Sequence, residues 1–357
     1  MWPKLLTKWY VDNCRQLPWR LDASPYYTMV CEFMAQQTQI NTLIPYYKRW
    51  LKQFPTVHDV AKADEDTILK AWEGLGYYSR ARNLHKACKI ISNEYNGNVP
   101  DTYDELIKLP GIGPYIAAAI ASIAFDQPIP VVDGNVLRVV TRFLGLSDDI
   151  SKQKTKDMIQ QKLVPQIKTV DPSSFNQGVM ELGALVCTPQ NPKCPDCPIK
   201  GLCYAFNYQE VDKFPVKPKK EKTPHYTVVV GIIKNDNDEY LITKRKKDQL
   251  LGGLWEFPGG KVNDKETYEG ALARELKEEL SILPDITTKL CSVKHAYSHF
   301  KVTIHAFMCH SNDTNIQLAS ADDHQWISID SFDDFAFPKA NKVIIENLIA
   351  FNGCIPI

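Results

Sequence analysis

Two acidic side chains stand out because their sequence surroundings are unusual for an ionised group. Glu32 lies in the run Val30–Met34, which is otherwise apolar, and Asp133 directly precedes a segment with helical apolar spacing. Burial would raise the pKa of Glu32 and keep it protonated near neutral pH, whereas helix-start amides would favour ionised Asp133. Glu32 could equally lie on the exposed edge of its helix, and Asp133 could be only a cap. In one site, the pair would supply an acid and an anionic stabiliser.

A glycine hairpin precedes Asp133 at Leu109–Tyr115, with the sequence Leu-Pro-Gly-Ile-Gly-Pro-Tyr. Gly111 and Gly113 are expected to adopt backbone angles that other residues resist, and Pro114 suits the first turn of a helix. Unpaired amides at such a turn can bind a phosphate. An ordinary turn explains the same pattern, so the hairpin alone does not define a site.

Four of the ten cysteines are clustered near residue 200, with six, two and five residues between successive thiols. Prolines between them favour a loop, as a metal centre requires. Unrelated thiols are rarely this dense in an intracellular chain, so zinc and an iron–sulfur cluster are the two candidates. The cysteines are Cys187, Cys194, Cys197 and Cys203.

The elements that must position these groups fall into two regions. Apolar residues recur at helical spacing from Trp2 to about Cys203. Later, strand patterns at 227–233 and 240–243 precede a helix over 266–280 and further strands. We predict an all-α domain over residues 1–210, a basic, proline-rich linker over 211–224 and an α+β domain over 225–357.

The composition limits the class of protein. The chain has 357 residues, zero formal net charge and 44% hydrophobic residues, which suffices for a core in each domain. Any affinity for DNA must therefore come from local basic surface and helix ends. The amino terminus lacks the apolar run of a secretory signal, and no segment reads as a membrane span. We expect a soluble, intracellular protein, cytoplasmic and, in a bacterium, associated with the nucleoid.

Several motifs together resemble the MutY family of adenine DNA glycosylases, in the helix-hairpin-helix DNA glycosylase superfamily. Besides the hairpin they are Glu32-x-x-x-Gln-Gln-Thr-Gln39, Gly74-Leu-Gly-Tyr-Tyr-Ser-Arg80 and Val132-Asp-Gly-Asn135. The resemblance covers essentially the whole chain. It implies an all-α helix-hairpin-helix catalytic domain followed by an α+β Nudix-like domain. It further implies base excision repair, with hydrolysis of the glycosidic bond of adenine mispaired with 8-oxoguanine or guanine in duplex DNA.

The resemblance also assigns catalytic roles. Glu32 would protonate N7 of a flipped-out adenine, and Asp133 would stabilise or transiently bond the positively charged sugar. Tyr115 and Asn135 would orient the acid, the aspartate and a water molecule. Tyr115 stands where the related endonuclease III family carries a lysine nucleophile, so the resemblance implies a monofunctional glycosylase that uses water.

Other residues would contact DNA by the same resemblance. Gln37 and Tyr77 match residues that push into the base stack around the mispair, although core packing is an alternative for Tyr77. The hairpin glycines would grip a DNA phosphate. In the second domain, Ser298 and His299 lie in a loop that matches the one that inspects 8-oxoguanine.

The cysteine spacing over residues 187–203 resembles the [4Fe–4S] loop of the MutY and endonuclease III families, which implies that cluster as the cofactor. Held only by thiolates and expected far from both carboxylates, it would shape a DNA-binding loop rather than perform hydrolysis. The partner implied is duplex DNA containing the mispair. We expect no membrane association and a monomer.

The second domain carries a nearly complete Nudix box over residues 260–279, a motif whose glutamates hold magnesium against a nucleotide pyrophosphate. Ser281 stands where the motif has a glycine. A solvated helix face explains the same pattern, with Arg274 and Glu278 paired at helical spacing. Hydrolysis of oxidised nucleotides by this domain therefore stays open. The glutamates concerned are Glu275, Glu278 and Glu279.

Three other functions are alternatives to hydrolytic release of adenine. An endonuclease III-like lyase that acts on oxidised pyrimidines is disfavoured by Tyr115 and by the added domain. A DNA-damage reader would bind the mispair without releasing a base. A dual protein would also hydrolyse oxidised nucleotides, and we expect no such product from residues 225–357.

Overall fold

The computed structural model describes residues 1–218, 223–297, 300–313 and 315–353. The chain forms two compact units, Met1–Lys62 with Asn83–Lys220 and Ala63–Arg82 with Glu221–Ile357. The segment Ala63–Arg82 thus groups with the carboxyl-terminal part of the chain, although it lies within the predicted first domain. No helix in the described residues is long and apolar enough to cross a membrane.

The first unit is all-helical, as the apolar periodicity predicts. In chain order, the helices before residue 220 are α1 (Trp2–Asn13), α2 (Pro18–Leu21), α3 (Pro25–Ala35), α4 (Ile40–Gln53), α5 (Val57–Lys62), α6 (Glu65–Trp72), α7 (Ser79–Glu94), α8 (Tyr103–Leu106), α9 (Pro114–Ala124), α10 (Gly134–Leu144), α11 (Gln153–Ile167), α12 (Pro172–Leu185) and α13 (Tyr204–Asn207). Of these, α6 and the start of α7 lie in the second unit.

Local signals explain where the helices around the hairpin begin. Thr102 caps α8 by accepting a hydrogen bond from the amide of Glu105, as the sequence Thr-x-x-Glu predicts. The next helix, α9, begins at Pro114 and is so rich in alanine and isoleucine that it packs closely against α3. Asp133 caps α10, and its Oδ1 atom accepts from the amide of Val136 at 2.7 Å. Residues of α3, α9 and the start of α10 line the cavity described below.

The predicted linker begins as part of the helical unit. Val211–Lys213 form a 3-10 turn, and Phe214 is buried with its carbonyl accepting from Arg142. The carbonyl of Val216 accepts from the amide of Ile150. Residues 211–216 are therefore packed rather than extended, because Phe214 and the Arg142 hydrogen bond hold them.

The second unit is built on a mixed sheet, as predicted for an α+β domain. Its central strands are β1 (His225–Lys234) and β6 (Lys301–His310), which run parallel with Val229 opposite His305. The remaining strand pairs of the described sheet are antiparallel, in the order β3-β2-β1-β6-β5, with β4 beside β1 and β7 beside β2. These strands are β2 (Tyr240–Arg245), β3 (Trp255–Glu256), β4 (Gly259–Lys261), β5 (Asp285–Ala296) and β7 (Ala321–Ile327).

Each face of the sheet is covered by a helix. On one face, α14 (Tyr268–Leu280) buries Leu272, Leu276 and Leu280, which recur every four residues. On the other face, α15 (Lys339–Gly353) contributes Ile344 and Leu348 to a second core. Sequence patterns did not reveal α15 or β5, which carries many exposed polar residues.

Candidate active site

Four of the predicted catalytic residues line one cavity of about 280 Å³ in the helical unit. Glu32 projects from α3, Tyr115 from the first turn of α9, and Asp133 and Asn135 from the start of α10. Residues up to about 100 positions apart in sequence therefore meet in one pocket, because α3 packs against α9.

Glu32 is the buried acid of this cavity, with 7% of its surface exposed. Burial raises its pKa to about 7, and the nearby charge of Asp133 adds to the increase, while a hydrogen bond from Tyr115 opposes it. Its Oε2 atom is buried and makes no hydrogen bond with the described residues. Of the two positions open to Glu32 from the sequence, the buried one is observed, so its carboxyl group can carry a proton near neutral pH.

Two opposing effects set the pKa of Asp133. Its carboxylate accepts from the amide of Val136 and, at 2.9 Å, from Nδ2 of Asn135, and both contacts lower its pKa. Burial nevertheless outweighs them and leaves the pKa of Asp133 above its ordinary value. The helix-start amides that the sequence indicates thus set only part of the pKa of Asp133, because the sequence does not show how deeply the cap is buried.

Asn135 is held from two sides. Its Oδ1 atom accepts from Nη2 of Arg138 at 2.9 Å, which also donates to the carbonyl of Gly183. Nε of Arg138 donates to the carbonyl of Cys187 at 2.7 Å. Two side chains therefore connect Asp133 to the backbone of the cysteine loop, which the sequence had placed far from both carboxylates.

Gly183 on α12 allows this close approach to α10. A Cβ atom at Gly183 would lie 2.7 Å from Cβ of Asn135 and 3.2 Å from its Cα atom. Backbone and Cβ atoms cannot move aside as a flexible side chain can, so only glycine fits here. The position of Asn135 thus depends on a glycine that no motif had marked.

The far wall of the cavity contains charged residues that sequence reasoning missed. Glu181 is buried and accepts hydrogen bonds from Arg15 and Arg20, with closest distances of 2.7 and 2.9 Å. Burial alone would raise the pKa of Glu181, but these contacts lower it to about 2. Arg20 also donates to Oε1 of Gln177 at 3.1 Å. The partners are some 160 residues apart, and the only sequence signal was a glutamate within an apolar helix.

The hairpin glycines are not equivalent. Gly111 has φ +78°, and a Cβ atom there would lie 2.5 Å from Asn83 and 2.9 Å from Phe33. Gly113 has φ −87°, an ordinary extended conformation, and a Cβ atom would meet nothing within 4 Å. The predicted need for unusual backbone angles therefore holds for Gly111 and was wrong for Gly113, which leaves open space before the amino terminus of α9.

The two residues predicted to push into the base stack both have left-handed backbone conformations. Gln37 has φ 55° just after α3 in the first unit, and Tyr77 has φ 48° before α7 in the second unit. Such angles cost about 1–3 kcal/mol for residues with a side chain and are concentrated at functional sites. Tyr77 and the neighbouring Tyr78 line a cavity of about 330 Å³ with His295 and Tyr297. The predicted Ser298 and His299 lie outside the described residues.

The four clustered cysteines follow α12 within 17 residues of chain. Burial raises the pKa of Cys194, Cys197 and Cys203, and the nearby thiol of Cys187 raises it further in all three. Arg142 donates to the carbonyl of Thr188 and contacts Sγ of Cys187 at 3.5 Å. Four neighbouring thiols beside a fixed cation suit a metal cluster, whose positive charge would replace that of the protons lost from the thiols.

The Nudix-like box is arranged around an arginine. Arg274 contacts Glu266 at 2.7 Å, Glu275 at 2.8 Å and Glu278 at 3.2 Å. Glu279 instead accepts from Ser320, and burial raises its pKa. The like charges of this helix are therefore offset by Arg274. Ser281, in place of the motif's glycine, ends α14 in a left-handed conformation with φ 60°.

Comparisons with known proteins agree with this architecture. Residues 30–165 match the HhH-GPD superfamily base excision DNA repair protein family, residues 187–203 the iron-sulfur binding domain of endonuclease III, and residues 229–347 the NUDIX domain. A thermostable thymine-DNA glycosylase has a similar fold, with a TM-score of 0.51 and 24% identity over 58% of this chain and 95% of that chain. The helical unit is thus that of a base excision repair glycosylase with an iron–sulfur cluster loop.

Two full-length relatives narrow the class. The adenine DNA glycosylase of Buchnera aphidicola subsp. Schizaphis graminum is 34% identical over 348 residues, which cover 96% of this chain and 97% of that protein. The adenine DNA glycosylase of Rattus norvegicus is 33% identical, over 96% of this chain and 76% of that protein. The chain belongs to the adenine DNA glycosylase family.

Proposed function

We propose that this protein removes adenine mispaired with 8-oxoguanine, or with guanine, from duplex DNA by hydrolysing the glycosidic bond and leaving the strand uncut. The observation that carries the proposal is the placement of Glu32 and Asp133 in one cavity, with Glu32 buried. The enzyme acts as a monomer. Residues 1–210 form its catalytic domain, residues 211–224 its linker and residues 225–357 its recognition domain.

The reaction begins with the proton of Glu32. A carboxyl group with its pKa raised to about 7 is protonated in a large fraction of molecules at neutral pH and can donate to N7 of an extruded adenine. Protonation makes the base a better leaving group, so the electrons of the C1′–N9 bond pass to adenine. The hydrogen bond between Tyr115 and Glu32 fixes the orientation of the acid.

Asp133 and Asn135 act on the sugar that remains. The Asp133 carboxylate, held by Asn135 at 2.9 Å, stabilises the positive charge at C1′. A water molecule adds to C1′, and its proton returns to Glu32. Tyr115 offers no amine for a Schiff base, which supports hydrolysis without strand cleavage.

Recognition of the opposite base uses the second unit. Tyr77 lines a cavity with His295, Tyr297 and Phe300. Ser298 and His299, between Tyr297 and Phe300 in the sequence, contact 8-oxoguanine. Gln37 and Tyr77 enter the base stack, and the hairpin at Gly111–Gly113 binds a phosphate through free amides at the start of α9. Cys187, Cys194, Cys197 and Cys203 hold the cluster, which shapes the DNA-binding loop.

The experiment is single-turnover adenine release from duplexes with one defined mispair. Glu32→Gln keeps the size of the side chain but removes the proton donor, so we expect a loss of release of about 10²–10⁴-fold, with DNA binding retained. Glu94→Gln, the same change at an exposed residue, is the matched control and should release adenine at the parent rate.

Two results would contradict the proposal. A Glu32→Gln variant that turns over at the parent rate would exclude Glu32 as the acid. An enzyme–DNA adduct trapped by borohydride at the rate of base release would exclude a monofunctional mechanism.

A further inference from the structure

The segment Ala63–Arg82 is held by the carboxyl-terminal part of its own compact unit. Nζ of Lys244 donates to both carboxylate oxygens of Asp66, at 2.7 and 2.8 Å. Lys247 contacts Glu65 at 3.0 Å, so the first turn of α6 is tied to residues at and just after the end of β2. The segment is thus fixed by charge pairs at its amino-terminal end.

Glu73, just after α6, provides the second and more buried attachment. Its carboxylate is 9% exposed and accepts from Nζ of Lys342 at 2.7 Å and from Nζ of Lys70 at 3.0 Å. The amide of Phe337 donates to its other oxygen at 2.9 Å. Burial would raise the pKa of Glu73, but these donors lower it, so the group is held as an anion. Removing the charge would leave two ammonium groups around a neutral side chain.

The turn that follows Glu73 is cross-linked by its own contacts. The carbonyl of Gly76 accepts from the indole nitrogen of Trp72 at 3.2 Å and from Arg80 at 2.9 Å. The guanidinium of Arg80 lies 5.3 Å from the ring centre of Trp72 and 5.6 Å from that of Tyr77. These contacts connect Tyr77 to the end of α6, where Glu73 is attached.

This turn forms one side of the cavity of about 330 Å³ described above. His295, near the end of β5, and Tyr297 and Phe300, which lie between β5 and β6, are on other parts of its wall. The distance between the Tyr77 turn and these three side chains sets the width of the cavity. A difference of one oxygen atom on a bound base can be detected only if that width is fixed.

We propose that Glu73, assisted by Asp66, is a positioning residue that holds the Tyr77 turn against His295, Tyr297 and Phe300 and thereby sets the preference for the base opposite adenine. The inference rests on the proposed function, which places recognition of that base in this cavity. Glu73 touches neither the adenine nor the sugar, so its loss should change discrimination and leave the chemistry of base release intact.

The test compares adenine release opposite 8-oxoguanine with release opposite guanine, for the full chain at limiting enzyme. Glu73→Gln should lower the ratio of the two rate constants about tenfold, the effect expected when one hydrogen bond to a charged group is lost. The rate constant for the guanine duplex at saturating enzyme should stay within about twofold of the parent value. Glu94→Gln is the matched control and should keep the parent ratio.

A charge exchange at the second attachment keeps the test independent of how well Glu73→Gln folds. Asp66→Lys and Lys244→Asp should each lower the ratio, and the double variant should restore most of it, because the pair is re-formed with its signs reversed. A general loss of stability would not be repaired in this way.

The outcomes separate the two proposals. A parent enzyme with equal rates on both duplexes overturns the proposed recognition and this inference with it. A parent enzyme that discriminates while Glu73→Gln discriminates equally well overturns the inference alone. A double charge variant no better than its single variants also overturns it.

Discussion

Two groups of carboxylates in the described residues, one in each unit, have their charge compensated in opposite ways. In the helical unit, Glu32 and Asp133 face one cavity, and burial raises the pKa of both. In the second unit, Glu266 and Glu275 surround Arg274, which lowers the pKa of Glu266 to about 2. In the first group, Glu32 can hold a proton near neutral pH. In the second group, the carboxylates stay ionised because Arg274 neutralises part of their charge. Only the first can supply an acid near neutral pH.

Replacing Asp133, the second carboxylate of the cavity, should have the largest effect on adenine release among the variants that test this comparison. Asp133→Asn keeps a good helix cap but removes the negative charge, so adenine release should fall by about 10²–10³-fold. The unfolding midpoint, measured by circular dichroism, should change little. A variant with normal release would mean that the sugar cation is stabilised by another group.

Displacing Asn135 tests whether adenine release depends on the position of this side chain in the cavity. Gly183→Ala introduces a Cβ atom 2.7 Å from that of Asn135, so α10 or α12 must shift. We expect a loss of about 10- to 100-fold in single-turnover release, because small displacements of catalytic groups are costly. Gly353→Ala, at a glycine whose Cβ atom would meet nothing within 4 Å, is the control. Equal rates for the two variants would refute this role of Gly183.

Removing the charge of Arg274 should have only small effects on stability and on adenine release. Arg274→Gln leaves Glu266, Glu275 and Glu278 without their common cation, which should slightly lower stability in urea unfolding, since exposed ion pairs contribute little. Adenine release should remain within about twofold of the parent rate. A large loss of release would show that this cluster, too, belongs to the machinery of base excision.

The sequence predicted the parts of the structure that depend on neighbouring residues. The Thr102–Glu105 cap, the start of α9 at Pro114 and the cap at Asp133 are all short-range effects and were predicted correctly. The spacing of Leu272, Leu276 and Leu280 in α14 likewise predicts that they face a core, and all three are buried in one. Local rules of capping and periodicity were sufficient for these elements.

What the sequence could not supply depends on contacts between distant residues. The pairs of Glu181 with Arg15 and Arg20 form only when α12 meets α2 and the loop before it. Burial, which raises the pKa of Asp133, is a property of the folded cavity and not of the local sequence. The sequence does not predict the strand β5, because its many exposed polar residues leave no clear alternation of apolar and polar side chains. The grouping of Ala63–Arg82 with the second unit follows from charge pairs that no motif marks.

The central claim is that Glu32 donates the proton that releases adenine, and the pH dependence of release tests it most directly. The acid must be protonated to act, and burial raises its pKa to about 7, so activity is present below that pH and lost above it. Single-turnover release from an adenine:8-oxoguanine duplex should therefore fall about tenfold per pH unit above pH ~7. A rate constant that stays level or rises between pH ~7 and ~9 would contradict the account.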